Sequence, residues 1–150
     1  MGRDRDVRAA IQKAMIDTNM FNGVYLWGLP ENYGSGASDI SVAFIEPMSS
    51  KQEDKWDSQP DGGLQVTSEV GITFAQRSED PQLCDEACEL LFDTAANALN
   101  GQSLADLTMP GLTKFVSWRW EKRQPPERRI TSRFSYSYLI DGWNAYDENE

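Results

Sequence analysis

Leu64-Gln65-Val66-Thr67-Ser68-Glu69-Val70-Gly71-Ile72-Thr73-Phe74 alternates apolar and polar side chains more regularly than any other part of the chain. Leu64, Val66, Val70, Ile72 and Phe74 fall on one face, and Gln65, Thr67, Glu69 and Thr73 fall on the other or at its edge. Successive side chains of a strand point to opposite faces, so this period of two predicts a long strand with one face on a core. The pattern runs to Gln76 and ends at Ser78-Glu79-Asp80-Pro81. There Asp80 can cap a helix, and Pro81 suits the first helical position, where its missing N–H would be unsatisfied anyway.

Downstream, Leu83, Ala87, Leu90, Leu91, Ala95, Ala98 and Leu99 form one broad apolar stripe that closes at Asn100-Gly101. This spacing predicts a helix of about five turns, with Glu86, Glu89 and Asp93 making its outer face acidic. After a Leu104–Leu107 turn and Met109-Pro110-Gly111, strands are expected over Lys114–Glu121 and Ile130–Ile140, with Ile130, Phe134, Tyr136, Tyr138 and Ile140 sharing a face. Gln124-Pro125-Pro126-Glu127 cannot extend a ladder at its prolines and should turn the chain into a hairpin.

Upstream, Val7, Ala10, Ile11, Ala14 and Met15 repeat at helical spacing within Asp4–Asp17. Asp4 and Asp6 sit where negative charge favours the positive end of the helix dipole, and Asn22-Gly23 supplies a stop soon after. Val24–Trp27 and Ile40–Glu46 read as short strands around a Leu29–Ser38 loop, and residues 47–63 read as a long polar mobile excursion. The order is helix, three strands, helix, two strands. It predicts an α+β domain over residues 1–150: a mainly antiparallel sheet of about five strands with two helices on one face, and a frayed acidic tail at 144–150.

A chain of 150 residues with five Trp, six Phe and five Tyr can fill one core. Its 24 acidic against 14 basic residues give a net charge of −10, which disfavours sequence-independent binding to DNA or anionic membranes. No apolar run approaches the roughly 18 residues of a membrane span, and MGRDRDVRAA lacks the apolar stretch of a signal peptide. A cytoplasmic protein is expected.

The chain has no histidine. That removes the commonest general base, the commonest metal ligand and every Ser-His or Cys-His nucleophile pair. Two carboxylates about 5–9.5 Å apart could still break glycosidic bonds, but 24 acidic side chains produce such pairs by chance. Cys84 and Cys88 lie four apart on a helical pattern, where a strain-free disulfide is not expected; they read as reduced, buried thiols, too few for a structural zinc site. Gly34-Ser35-Gly36 lacks the context of a phosphate loop, and Asp57–Asp61 lacks the order of an EF-hand. No catalytic, cofactor or metal residues are expected.

Two features point instead to contacts. Arg119, Lys122, Arg123, Arg128, Arg129 and Arg133 concentrate six of the 14 basic residues in the expected hairpin. They could meet nucleic acid with Trp118 and Trp120 as stacking partners, meet the acidic face of a neighbouring subunit, or form a cationic edge that discourages strand pairing. Overall acidity favours protein over nucleic acid. In the 47–63 excursion, which also carries Lys51, Trp56 is the single large apolar residue. It either anchors an interface or folds back on its own domain.

The element order, the long alternating strand, the capped helix with Leu90-Leu91 and Ala98-Leu99, and the closing Arg133-Phe134-Ser135-Tyr136-Ser137-Tyr138-Leu139-Ile140 together resemble the tail terminator, or tail completion, proteins of long-tailed bacteriophages. The resemblance spans about residues 5 to 142 and rests on order and spacing, not on a short motif. It implies a structural virion protein that works in the tail or neck and assembles in the host cytoplasm. Such proteins form a ring, typically a hexamer, that caps the head-proximal end of the tail tube and presents a surface to the head/neck connector. The partners implied are other copies of the chain, the tube protein and the connector, with DNA only as passing cargo and no membrane. Within that frame the cationic hairpin and the acidic Glu86, Glu89, Asp93 face pair as ring contacts, the acidic excess partly lines the lumen, and the 47–63 loop lies against the tube or a neck protein. The hairpin's arginines and the loop's length depart from the family pattern. Other readings are a different neck, head-completion or tube component of a phage or contractile injection particle, a carboxylate-based hydrolase or small-ligand binder, and a nucleic-acid-binding module.

Overall fold

The computed structural model describes residues 3–26, 28, 39–53 and 64–140, with 51–53, 64 and 140 by backbone alone. The fold is α+β, in the order α1 (Arg3–Ile16), β1 (Gly23–Tyr25), β2 (Ile40–Glu53), β3 (Leu64–Arg77), α2 (Pro81–Leu99), β4 (Lys114–Trp120) and β5 (Glu127–Ile140). The five strands make one sheet ordered β1-β2-β3-β5-β4, in which only the β1–β2 pair is parallel.

The strand with the strongest alternation takes the centre. β3 pairs β2 from Ile40↔Arg77 to Glu53↔Gln65 and pairs β5 from Leu64↔Ile140 to Arg77↔Glu127. Val66, Val70, Ile72 and Phe74 are buried on the helix-covered face, opposite Tyr138, Phe134, Ser132 and Ile130 of β5. Phe74 has its ring centroid 5.6 Å from Phe92 of α2 and 6.3 Å from Phe115 of β4, so one aromatic cluster ties sheet to helix. Each such fully buried side chain contributes about 1.5–3 kcal/mol.

Both helices form for the reasons their sequences indicate. Asp80 Oδ1 accepts from the backbone N–H of Gln82 at 2.9 Å and of Leu83 at 3.3 Å, and Pro81 takes the first turn of α2. α1 buries Val7, Ile11 and Met15. Its Asp4 accepts from Tyr136 Oη at 2.8 Å, Ser68 Oγ at 2.9 Å and Ser50 Oγ at 3.1 Å, which fixes the helix start on three strands. Among the described residues no helix is long and apolar enough to cross a membrane.

Three expectations need correction. Residues 47–53 are not part of a loop: β2 continues through Pro47 to Glu53, with a bulge between Pro47 and Ser49. β1 reaches only Phe44, so among the described residues β2 at Pro47 has a strand neighbour on one side alone, the setting in which a strand tolerates proline. Only β3's length, not any local β signal in PMSSKQE, brings this segment into the sheet. Second, Leu83 and Leu90 do not join the core and are 58% and 51% exposed. The buried face of α2 runs through Cys84, Cys88, Leu91, Phe92, Ala95 and Leu99, and at about 100° per residue Leu90 lies about 160° from Cys88. Third, the strand boundaries shift: β1 starts at Gly23, β4 stops at Trp120 and β5 starts at Glu127. Trp27, the 29–38 loop with Gly34–Gly36, the 54–63 segment with Trp56 and Asp57–Asp61, and the 144–150 tail lie outside the described residues.

After α2, Leu104, Ala105 and Asp106 take φ of 49°, 61° and 63°, a left-handed turn built from three non-glycine residues. The backbone N–H of Leu107 donates to Ser103 O at 2.9 Å and that of Thr108 donates to the same oxygen at 2.8 Å, while Arg3 Nη1 donates to Leu107 O at 3.3 Å. Side chains in this region cost about 1–2 kcal/mol each, which the closed hydrogen bonds and the buried Leu104 offset.

Candidate assembly interface

The β4–β5 hairpin brings the six cations together, but the fold pairs most of them within the chain. Arg123 Nη2 lies 2.5 Å from Asp85 Oδ2 and Arg128 Nε lies 3.4 Å from Asp85 Oδ1. Arg128 also donates to Glu121 O at 3.0 Å and stacks 4.6 Å over the Trp120 ring, leaving its side chain 17% exposed. These contacts fasten the end of the hairpin to α2. On the other face of the sheet, Arg129 pairs with Glu127 at 2.6 Å and Arg133 with Glu69 at 2.5 Å. Arg119 reaches Glu121 at 3.4 Å yet remains 75% exposed, and Lys122 is exposed with no ion pair among the described residues.

Asp85 is the organising residue that sequence reasoning missed. Its signal was weak. It lies next to Cys84 and about 60° from Cys88 on the helix, at the boundary of the buried face, where a carboxylate reaches a neighbouring element. Asp85 faces the hairpin, and Glu89 and Asp93, at i+4 and i+8, lie about 40° and 80° from it around the helix on the exposed outer face. Glu86, about 100° from Asp85 and only about 20° from Asp93 around the helix, rims the flank of Leu83 and Leu90, where it accepts from Gln82 Nε2 at 3.1 Å. Of these acids only Asp85 forms an ion pair among the described residues. Lys51 pairs by backbone with Thr67.

The hairpin edge is aromatic as well as basic. Trp118 has its ring centroid 4.9 Å from Phe92 but is 56% exposed, and Val116 and Trp120 beside it are also exposed. On the far flank of α2, a hollow of about 610 Å³ is lined by Leu83, Ala87 and Leu90 and rimmed by Asp39, Glu79, Asp80 and Glu86. The uncovered face of the sheet carries a third hollow of about 450 Å³, between Met48, Gly71, Thr73, Thr131, Arg119 and Arg133. There Met48 lies over Gly71, where an added Cβ would meet the methionine Sδ at an ordinary contact distance of 3.5 Å.

The thiols are packing groups. Cys84 Sγ lies 3.2 Å from Gln76 O, and Cys88 Sγ lies 3.5 Å from Arg128 O and 3.8 Å from Phe74 O; both are free and buried. Burial, reinforced by Cys84, pushes the Cys88 thiol up to about 12, and burial also raises Cys84. These shifts disfavour the thiolate on which metal binding and nucleophilic attack rely. Among the described residues no three His, Cys, Asp or Glu side chains cluster to hold a metal ion.

No known family profile matches the chain. No curated protein matches it. Among solved structures, "Virion of native gene transfer agent (GTA) particle" contains a chain that superposes with a TM-score of 0.49 over 93% of this chain and 92% of that one, at 16% identity. At that score the likeness assigns neither family nor role.

Proposed function

We propose that this chain is a structural subunit of a phage-like particle, specifically a ring-forming tail terminator that caps the tail tube and joins it to the head/neck connector. The single observation that carries the reading is the element order helix, three strands, helix, two strands, folded as one sheet with Leu64–Arg77 at its centre. That is the layout on which the resemblance to tail terminators rests. The exposed apolar and charged surfaces on both flanks of α2 suit a protein that works by contact with other subunits. Its partners are further copies of itself, most simply in a hexamer, then the tube and the connector, with DNA as passing cargo. Its place is the virion, reached from the host cytoplasm.

A nucleic-acid reading of the hairpin loses force, because Arg123, Arg128, Arg129 and Arg133 spend their charge on Asp85, Glu127 and Glu69. Trp118 leans on Phe92, and Trp120 is covered by Arg128. Negative-stain imaging with mass photometry of the purified chain tests the proposal: closed rings of one discrete copy number are expected. A strictly monomeric chain, alone and when mixed with the tube protein encoded beside it, overturns it.

A further inference from the structure

The two exposed apolar patches carry opposite charge at their rims. One is the β4 edge, where Val116, Trp118 and Trp120 are 43%, 56% and 41% exposed, Lys122 is exposed with no ion pair among the described residues, and Arg119, on the opposite face of the strand from Trp118, is 75% exposed at 3.4 Å from Glu121. The other is the far flank of α2, where Leu83 and Leu90 are exposed among Asp39, Glu79, Asp80 and Glu86. They lie on opposite sides of α2, since Phe92 and Asp85 face the hairpin while Leu83, Ala87 and Leu90 face the start of β2 at Asp39.

We infer that the β4 edge of one copy docks on the leucine flank of α2 in the next copy, with Trp118 as the anchor and Arg119 and Lys122 facing Glu79 and Glu86. The occupant is a second copy of this chain because each patch supplies the charge the other lacks. A two-fold contact of like patches would set acid against acid or base against base. A head-to-tail contact sets acid against base, and repeats into a ring if its rotation closes. Large exposed tryptophans bordered by charge are also what binding hot spots are made of. The bulge between Phe115 and Ser117 breaks the regular ladder of β4, so this edge meets its partner through side chains and not by adding a strand. The inference names the self-contact on which the ring reading depends.

The test uses two full-length variants and sedimentation velocity. Leu90→Glu blocks the acceptor patch, and Arg119→Glu with Lys122→Glu blocks the donor patch; all three side chains are exposed, and circular dichroism checks that each variant folds as wild type does. Each variant alone should associate at least about tenfold more weakly than wild type. Mixed together they should form a discrete dimer, because one intact donor then meets one intact acceptor. Wild-type rings that both variants form equally well would overturn this contact and leave the ring reading standing. Mutual rescue that never appears in the mixture would overturn the head-to-tail pairing. A monomeric wild type whose melting temperature falls on Leu90→Glu would show the leucine flank to be covered by the chain itself, and would overturn both.

Discussion

The two flanks of α2 are made from the same kinds of residue and do opposite things. On the hairpin flank, Asp85 holds Arg123 and Arg128, so charge is largely used inside the chain, while Trp118 on Phe92 and Trp120 under Arg128 still keep 56% and 41% of their surface exposed. On the far flank, Leu83 and Leu90 stay exposed, and among the described residues no basic side chain lines the hollow that Glu79 and Glu86 rim. A count of six hairpin cations therefore overstates the available charge, while the carboxylates of the leucine flank have no ion pair among the described residues. Surfaces that can assemble are what remains after intramolecular pairing. Exposure of an apolar side chain beside unpaired charge identifies them better than composition does.

Substitutions on the two flanks should accordingly separate stability from assembly. The largest loss is expected for Phe92→Ala, which removes the ring linking Phe74, Phe115 and Trp118; chemical denaturation should show a loss of about 3–5 kcal/mol. A change below about 1 kcal/mol would mean that the hairpin is not packed on α2 as described. Asp85→Ala comes next, because it leaves the mostly buried Arg128 without its carboxylate. A loss of about 1–3 kcal/mol is expected, against about 0.5 kcal/mol or less for Glu89→Ala one turn on.

The thiol that joins α2 to β3 and β5 gives a pH test of comparable size. Cys88 ionises near 9.0 when unfolded and near 12 when folded, so its contribution is complete below pH 9 and falls as the pH rises toward 12. Between pH 9 and about 10.5, wild type should lose roughly 1–2 kcal/mol more stability than Cys88→Ala. Equal losses in the two proteins would place the thiol in a wetter setting. The smallest effect has the opposite sign. Ala105→Gly relieves a side chain at φ 61° and should raise stability by about 0.5–1 kcal/mol, measured as a shift in the denaturation midpoint.

Much of the fold was legible because its strongest signals are local. The period of two in Leu64–Phe74 required a strand buried on one face, and Asp80-Pro81 required a helix to start there. What escaped was decided by neighbours. Pro47–Glu53 has no strand pattern of its own and pairs because β3 is long enough to template it. Leu83 and Leu90 have core chemistry but the wrong angle around the helix, and no hydropathy stripe distinguishes a leucine facing its own sheet from one facing outward. Leu104–Asp106 carries no glycine to announce its positive φ. Of the candidate contact residues, the hairpin cations were visible as a cluster, whereas Asp85, which takes up the charge of two of them, became visible only once α2 lay beside β4.

Hydroxyl-radical footprinting of assembled wild type against the dissociated Leu90→Glu variant tests the head-to-tail contact most directly. Trp118 and Trp120 on β4 and Leu83 on α2 should lose oxidation on assembly, while Met48 and Leu139, 52% and 48% exposed on the open face of the sheet, should react alike in both states. Protection of Met48 and Leu139 with Trp118 and Leu83 unchanged would contradict it and move the interface to the uncovered sheet.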